Sequence, residues 1–208
     1  GLILHMAYPE LGGGEGPFLD RLMNVVSDPY FEAVEVARIK DESVRKEAAR
    51  LIRTSRLSVA YGGQSRTLSS GLNINDLDEA GRKMAVETLK EGIDEAYELG
   101  CVGFSFLSGH WAEETKESSF KQLLQSTKEL CSYAKSKGDM TVCCEVFDYD
   151  IDKKALIGPA ALAAKYGESI TREYDNFGLL VDLSHIPMLH ETIEESICPV
   201  KSYIRLAD

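Results

Sequence analysis

Short runs of aliphatic and β-branched residues recur along the chain, and a longer stretch with apolar positions three and four apart follows nearly every one. Leu2 to Met6 predicts a first strand, with the next helix starting near Pro17. Phe31 to Ile39 predicts a second strand. After it Asp41 has the character of an N-cap for a helix that places Val44, Ala48, Leu51 and Ile52 on one face. Leu57 to Tyr61 is the third run. A polar loop leads from it to Asp76-Leu77-Asp78-Glu79, a helix start resembling a capping box. The helix beyond carries Met84, Leu89, Ile93, Ala96 and Tyr97 near one stripe, and Gly100 stands where a left-handed cap stops it. Cys101 to Leu107 predicts strand four, Phe120 to Ala134 a helix ended by Gly138, and Met140 to Val146 strand five. A helix over Ala155 to Lys165, strand six over Phe177 to Asp182, a helix around Glu191 to Ile197 and a seventh strand from Tyr203 to Ala207 complete the pattern.

Seven strands that are nearly continuous in hydrophobicity and alternate with helices imply a parallel sheet covered on its faces. No G-x-G-x-x-G follows the first strand and no G-x-x-x-x-G-K-[ST] occurs, which removes support for a dinucleotide or P-loop fold. The expectation is an α/β fold of the TIM (β/α)8 type. A complete barrel takes about 250 residues, so 208 residues imply one domain over 1–208 that lacks its last strand or strands.

Composition narrows the function classes. With 23 basic against 34 acidic residues and a net charge of −11, the surface repels a phosphate backbone, so no nucleic-acid partner is expected. No apolar run approaches the roughly 18 residues of a membrane span, and the start of the chain lacks the pattern of a signal peptide. A cytoplasmic protein with no membrane partner is expected. The five cysteines, an odd number without C-x-x-C spacing, read as reduced thiols among apolar neighbours.

In a barrel the catalytic groups stand at the C-terminal ends of the strands. The polar residues that end the apolar runs are His5, Glu35, Gln64, His110, Glu145, Asp182 with His185, and Asp208. Glu145 follows Met140-Thr141-Val142-Cys143-Cys144, where a carboxylate must emerge at the mouth or suffer heavy desolvation. Asp182 repeats the situation after strand six. Two carboxylates and the His185 imidazole suit one divalent ion, Mn, Co, Mg or Zn.

The segments Glu145-Val146-Phe147-Asp148-Tyr149-Asp150, 152–158 and Asn176 through His185 resemble the xylose isomerase-like TIM barrel superfamily, in its sugar phosphate isomerase/epimerase branch. In relatives such as the ketose 3-epimerases one divalent metal is held by a strand-five Glu, a strand-six Asp, a strand-seven His and a strand-eight Glu. The resemblance carries the first two onto Glu145 and Asp182 and makes His185 a substrate contact. The strand-seven position falls on Asp208, where the family pattern has His, and Leu206 stands where many relatives carry another His. The resemblance implies proton transfer next to a carbonyl of a sugar or sugar phosphate, through an enediolate. Glu145 is then the catalytic residue, Glu145, Asp182 and Asp208 the metal ligands, and His185, His110, Glu35, His5 and Trp111 the substrate-binding set. Two other readings share the barrel: an apurinic endonuclease-like zinc phosphodiesterase, and a non-catalytic barrel that binds a small polyol. A sheet lacking strand eight exposes an edge, which favours a homo-oligomer.

Overall fold

A computed structural model describes residues 1–207, so Asp208, expected as a metal ligand, lies outside the described residues. Seven parallel strands form one sheet in the order β1-β2-β3-β4-β5-β6-β7: Leu2–Ile3, Ala33–Val36, Ser58–Gly62, Gly103–Leu107, Thr141–Val146, Phe177–Val181 and Ile204–Ala207. Strict sequential order with right-handed crossovers puts every connecting helix on the same face of the sheet. A doubly wound sheet would instead reverse its order at a switch point. The arrangement is the wall of a TIM barrel, and among the described residues no pairing joins β7 to β1.

The helices are α1 (Leu4–Ala7), α2 (Phe18–Ser27), α3 (Glu42–Thr54), α4 (Gln64–Leu68), α5 (Glu79–Leu99), α6 (Lys116–Lys137), α7 (Ala160–Thr171) and α8 (Ile193–Ile197). Local chemistry sets their ends. The Asp41 carboxylate accepts from the amides of Ser43 and Val44 to start α3, and that of Asp78 accepts from Gly81 to start α5. Gly100 ends α5 at φ 78°, a left-handed conformation that costs glycine nothing. All residues of β4 and β6 are buried, and so are all but the first of β5, because helices cover one side and the barrel interior the other. Successive long helices pack side by side around the sheet. Among the described residues no helix is long and apolar enough to cross a membrane.

Three sequence expectations change. The first apolar run is extended only over Leu2–Ile3. It then coils into α1, where Tyr8 N–H donates to the Leu4 carbonyl, burying Leu4 and leaving Met6 70% exposed. Met84, expected on the buried stripe of α5, is 60% exposed, whereas Leu89, Ile93 and Ala96 are fully buried. The helix expected from Ala155 begins only at Ala160, after Pro159. Ala155 forms a bridge with His110, and the Leu156 amide donates to the Gly109 carbonyl. Tertiary hydrogen bonds thus hold an apolar segment extended that its composition would allow to coil.

Candidate active site

The polar ends of β1, β2, β3, β5 and β6 open into one cavity of about 320 Å³. Glu145 is the fifth residue of β5 and is nearly buried, and its backbone pairs with Leu107 on one side and Leu180 on the other. Asp182 directly follows β6 and caps a 3-10 turn over Leu183–Leu189, its Oδ1 accepting from the Ser184 amide at 2.7 Å. That turn carries His185 back toward β5. The imidazole lies between the two carboxylates, Nδ1 3.3 Å from Glu145 Oε1 and Nε2 3.3 Å from Asp182 Oδ2. Phe147 backs the ring at 3.8 Å between centroids. One donor atom from each of Glu145, Asp182 and His185 lies within 4.8 Å of the others.

Further residues complete the lining. Gln64, at the start of α4, donates from Nε2 to Glu145 Oε2 at 2.8 Å and to Ser105 Oγ at 3.0 Å. Glu35 projects from β2 against β3 so closely that a Cβ on Gly62 would sit 2.6 Å from its Oε1 and push the carboxylate aside. His5 reaches the cavity from α1, its Nδ1 buried without a hydrogen-bond partner among the described residues. Burial lowers its pKa, because the imidazolium would be poorly solvated there.

Of the sequence candidates, His5, Glu35, Glu145, Asp182 and His185 therefore share the cavity. His110 and Trp111 do not line it. His110 lines a smaller neighbouring chamber, its carbonyl held by the side-chain amides of Asn73 and Asn75, and Trp111 packs its ring beneath the Lys116 ammonium. The reason is the bridge to Ala155, which fastens the β4 exit loop to the segment after β5 rather than leaving it over the mouth.

Sequence reading passed over Asp152 and Lys153, which also line the cavity. They belong to a loop organised by Asp148, whose buried carboxylate accepts from the amides of Ile151, Asp152, Lys153 and Lys154 at 2.7 to 3.2 Å. These four donors hold the Asp148 carboxyl below its usual pKa even against its burial. The local signals were a polar, acidic stretch between two apolar runs and the place of both residues in the 152–158 segment that carries the resemblance. Four cysteines are buried and Cys198 is exposed, against the expectation of apolar surroundings for all five. Burial pushes the thiols up, that of Cys143 to about 12.

Residues 27–205 match the family model described as xylose isomerase-like TIM barrel. Among solved structures, D-psicose 3-epimerase from Clostridium cellulolyticum H10, crystallised with D-tagatose, aligns with a TM-score of 0.74 and 17% identity over 91% of this chain and 66% of its own. An L-ribulose 3-epimerase aligns with a TM-score of 0.74 and 20% identity over 90% of this chain and 63% of its own. The IOLI protein with a binding zinc atom aligns at 0.69 and 16% identity, over 89% and 65%. The chain spans slightly less than two thirds of the length of these three structures. No curated protein sequence matches it.

Proposed function

The chain belongs to the xylose isomerase-like TIM barrel family, and from that premise we propose that it is a divalent-metal-dependent isomerase or epimerase of a sugar or sugar derivative. The observation that carries the reading is the convergence of Glu145, Asp182 and His185 at the ends of two adjacent strands, inside a cavity of monosaccharide scale. The fold neighbours named as ketose 3-epimerases support it.

The donor set fits one divalent ion. Two carboxylate oxygens and an imidazole nitrogen suit Mn, Co, Mg or Zn. The three donor atoms lie within 4.8 Å of one another, and bonds of about 2.0–2.2 Å allow at most about 4.4 Å between two donors, so small side-chain shifts would bring them round one ion. Glu145 and Asp182 hold the ion, and His185 lies within reach of it or of a substrate hydroxyl. When bound, the ion supplies Lewis acidity to the substrate carbonyl and its neighbouring hydroxyl.

The protein's own groups do the rest. Glu145 takes the proton from the carbon next to the carbonyl, leaving an enediolate; in an isomerisation it returns the proton to the neighbouring carbon, and in an epimerisation a second acid delivers a proton to the opposite face. The Gln64 amide and His185 fix the carboxylate between them, so its approach to the carbon is set before substrate arrives. Glu35 and His5, across the cavity, accept and donate hydrogen bonds to hydroxyls. The apolar wall of Ile3, Leu107 and Phe147 excludes water from the reacting end.

Metal analysis of protein purified without chelator tests the reading. About one equivalent per chain is expected, lost in Asp182→Ala. A folded wild-type protein that takes up no divalent ion sinks it, and three ions per chain would move the assignment to a zinc phosphodiesterase.

A further inference from the structure

Beside the main cavity lies a smaller chamber of about 50 Å³, and the two share Leu68, Leu107 and Lys153 in their walls. Their electrostatics differ. Glu35, Glu145, Asp152 and Asp182 line the main cavity, which therefore opposes any anion. Among the described residues no carboxylate lines the smaller chamber; His110 and Lys153 line it together with Thr67, whose hydroxyl donates to the Gln64 carbonyl, and Ser108, whose hydroxyl accepts from the Ile157 amide. We propose that this chamber binds the oxyanion end, phosphate or carboxylate, of a substrate whose reacting carbons lie at Glu145, Asp182 and His185. The proposal rests on the sugar isomerase or epimerase reading and extends it to the substrate class.

The backbone around the chamber brings the Lys153 ammonium and the His110 residue to one seam. The loop bearing Lys153 is clamped by the Asp148 carboxylate, and the chain after it is fastened to the exit of β4 by three links. These are the bridge between His110 and Ala155, the Leu156 amide donating to the Gly109 carbonyl at 3.0 Å, and the Ile157 amide donating to Ser108 Oγ at 2.8 Å. On the other side, the Asn73 side chain comes so near Gly109 that a Cβ there would lie 1.9 Å from its Oδ1. A side chain at 109 would have to displace the Asn73 amide, which holds the His110 carbonyl. Lys153 pairs with Asp152 at 2.7 Å, but Asp152 is 59% exposed and such a pair holds weakly in water, so the ammonium is available to an anion. Size agrees as well. A water needs roughly 10–15 Å³ of such space, so the chamber accommodates about four oxygen-sized groups, the scale of one phosphate or carboxylate with its hydration.

Amide NMR of the intact protein, titrated with inorganic phosphate, tests the site without depending on turnover. Shifts are expected at Ser108, Gly109, His110 and Lys153. Lys153→Ala weakens binding about tenfold, the usual consequence of losing a charged hydrogen-bond donor, and His110→Ala weakens it less. D-fructose 6-phosphate, D-glucuronate and D-fructose then separate the sources of the anion. A phosphate subsite favours the first over D-fructose at least tenfold, and a carboxylate subsite favours the second. Either preference disappears in Lys153→Ala. Shifts confined to other surfaces, equal binding of all three sugars, or affinities indifferent to Lys153→Ala each overturn the proposal. A protein that binds one of the anionic sugars through Lys153 but converts no ketose or its phosphate would refute the isomerase reading and leave the anion subsite standing.

Discussion

Glu145 and Asp148 are three residues apart and both nearly or fully buried, yet they do different work. Glu145 faces the cavity, with Gln64 and His185 as neighbours. Replacing it with glutamine keeps the size and removes the base, so Glu145→Gln should lower turnover of a responsive ketose at least about a hundredfold. Solvent deuterium should enter the reacting carbon with wild type only, and retained exchange in the mutant would refute the assigned role. Asp148 faces four backbone amides and no substrate. Asp148→Asn turns an acceptor into a donor aimed at those amides and should cost about 2–3 kcal/mol of stability in urea at neutral pH. Because its native pKa lies below the ordinary 3.8, its contribution is fully present above that value and is lost as pH falls through the depressed one. The gap between wild type and Asp148→Asn should therefore begin to narrow below about pH 3.8, and a gap unchanged at pH 3 would contradict this account.

At the scale of elements, the short α4 shows how a functional side chain is aimed from behind. Five residues cannot hold a helix alone. Arg66 anchors it, buried and paired with the buried Glu95 of α5, while its Nε donates to the Tyr61 hydroxyl at 3.0 Å. Glu95 also accepts from the Ile39 amide at 2.6 Å, tying α4, α5 and the exit of β2 together. Two residues before Arg66, Gln64 reaches Glu145. Glu95→Ala leaves the buried guanidinium with only the exposed Glu91 carboxylate at 3.9 Å and should destabilise the protein by about 3 kcal/mol, read from urea unfolding. A loss below about 1 kcal/mol would mean that water replaces the carboxylate. The capping box expected from Asp76 to Glu79 gives way to Asp78, which caps α5 through the Gly81 amide while Asp76 accepts from the Asp78 amide; the Asp41 cap of α3 was legible as sequence, since it needs only one side chain within three residues of the amides it binds. The partnership of Arg66 with Glu95, 29 positions apart, was not.

For the molecule as a whole, one bound ion couples the site to global stability. If the native state alone binds a divalent ion, excess Mn²⁺ at a hundred times its Kd adds about 2.7 kcal/mol. The melting temperature should rise with ion concentration in wild type and stay flat in Asp182→Ala; an equal rise in both would place the binding elsewhere. The repeating apolar runs by themselves determined seven parallel strands with intervening helices, because burial on both faces demands continuous hydrophobicity and the helical spacing of the connecting segments is read over a few turns. They also marked Glu145 and Asp182, since a carboxylate that ends a buried strand has few places to go. Tertiary structure alone decided the rest: that the first apolar run coils after two residues, that Gln64 and His185 meet Glu145, and that His110 leaves the main cavity. The last two depend on hydrogen bonds or close approaches between segments tens of residues apart, and their free energy is set by where the packed chain brings the partners, which local composition does not encode.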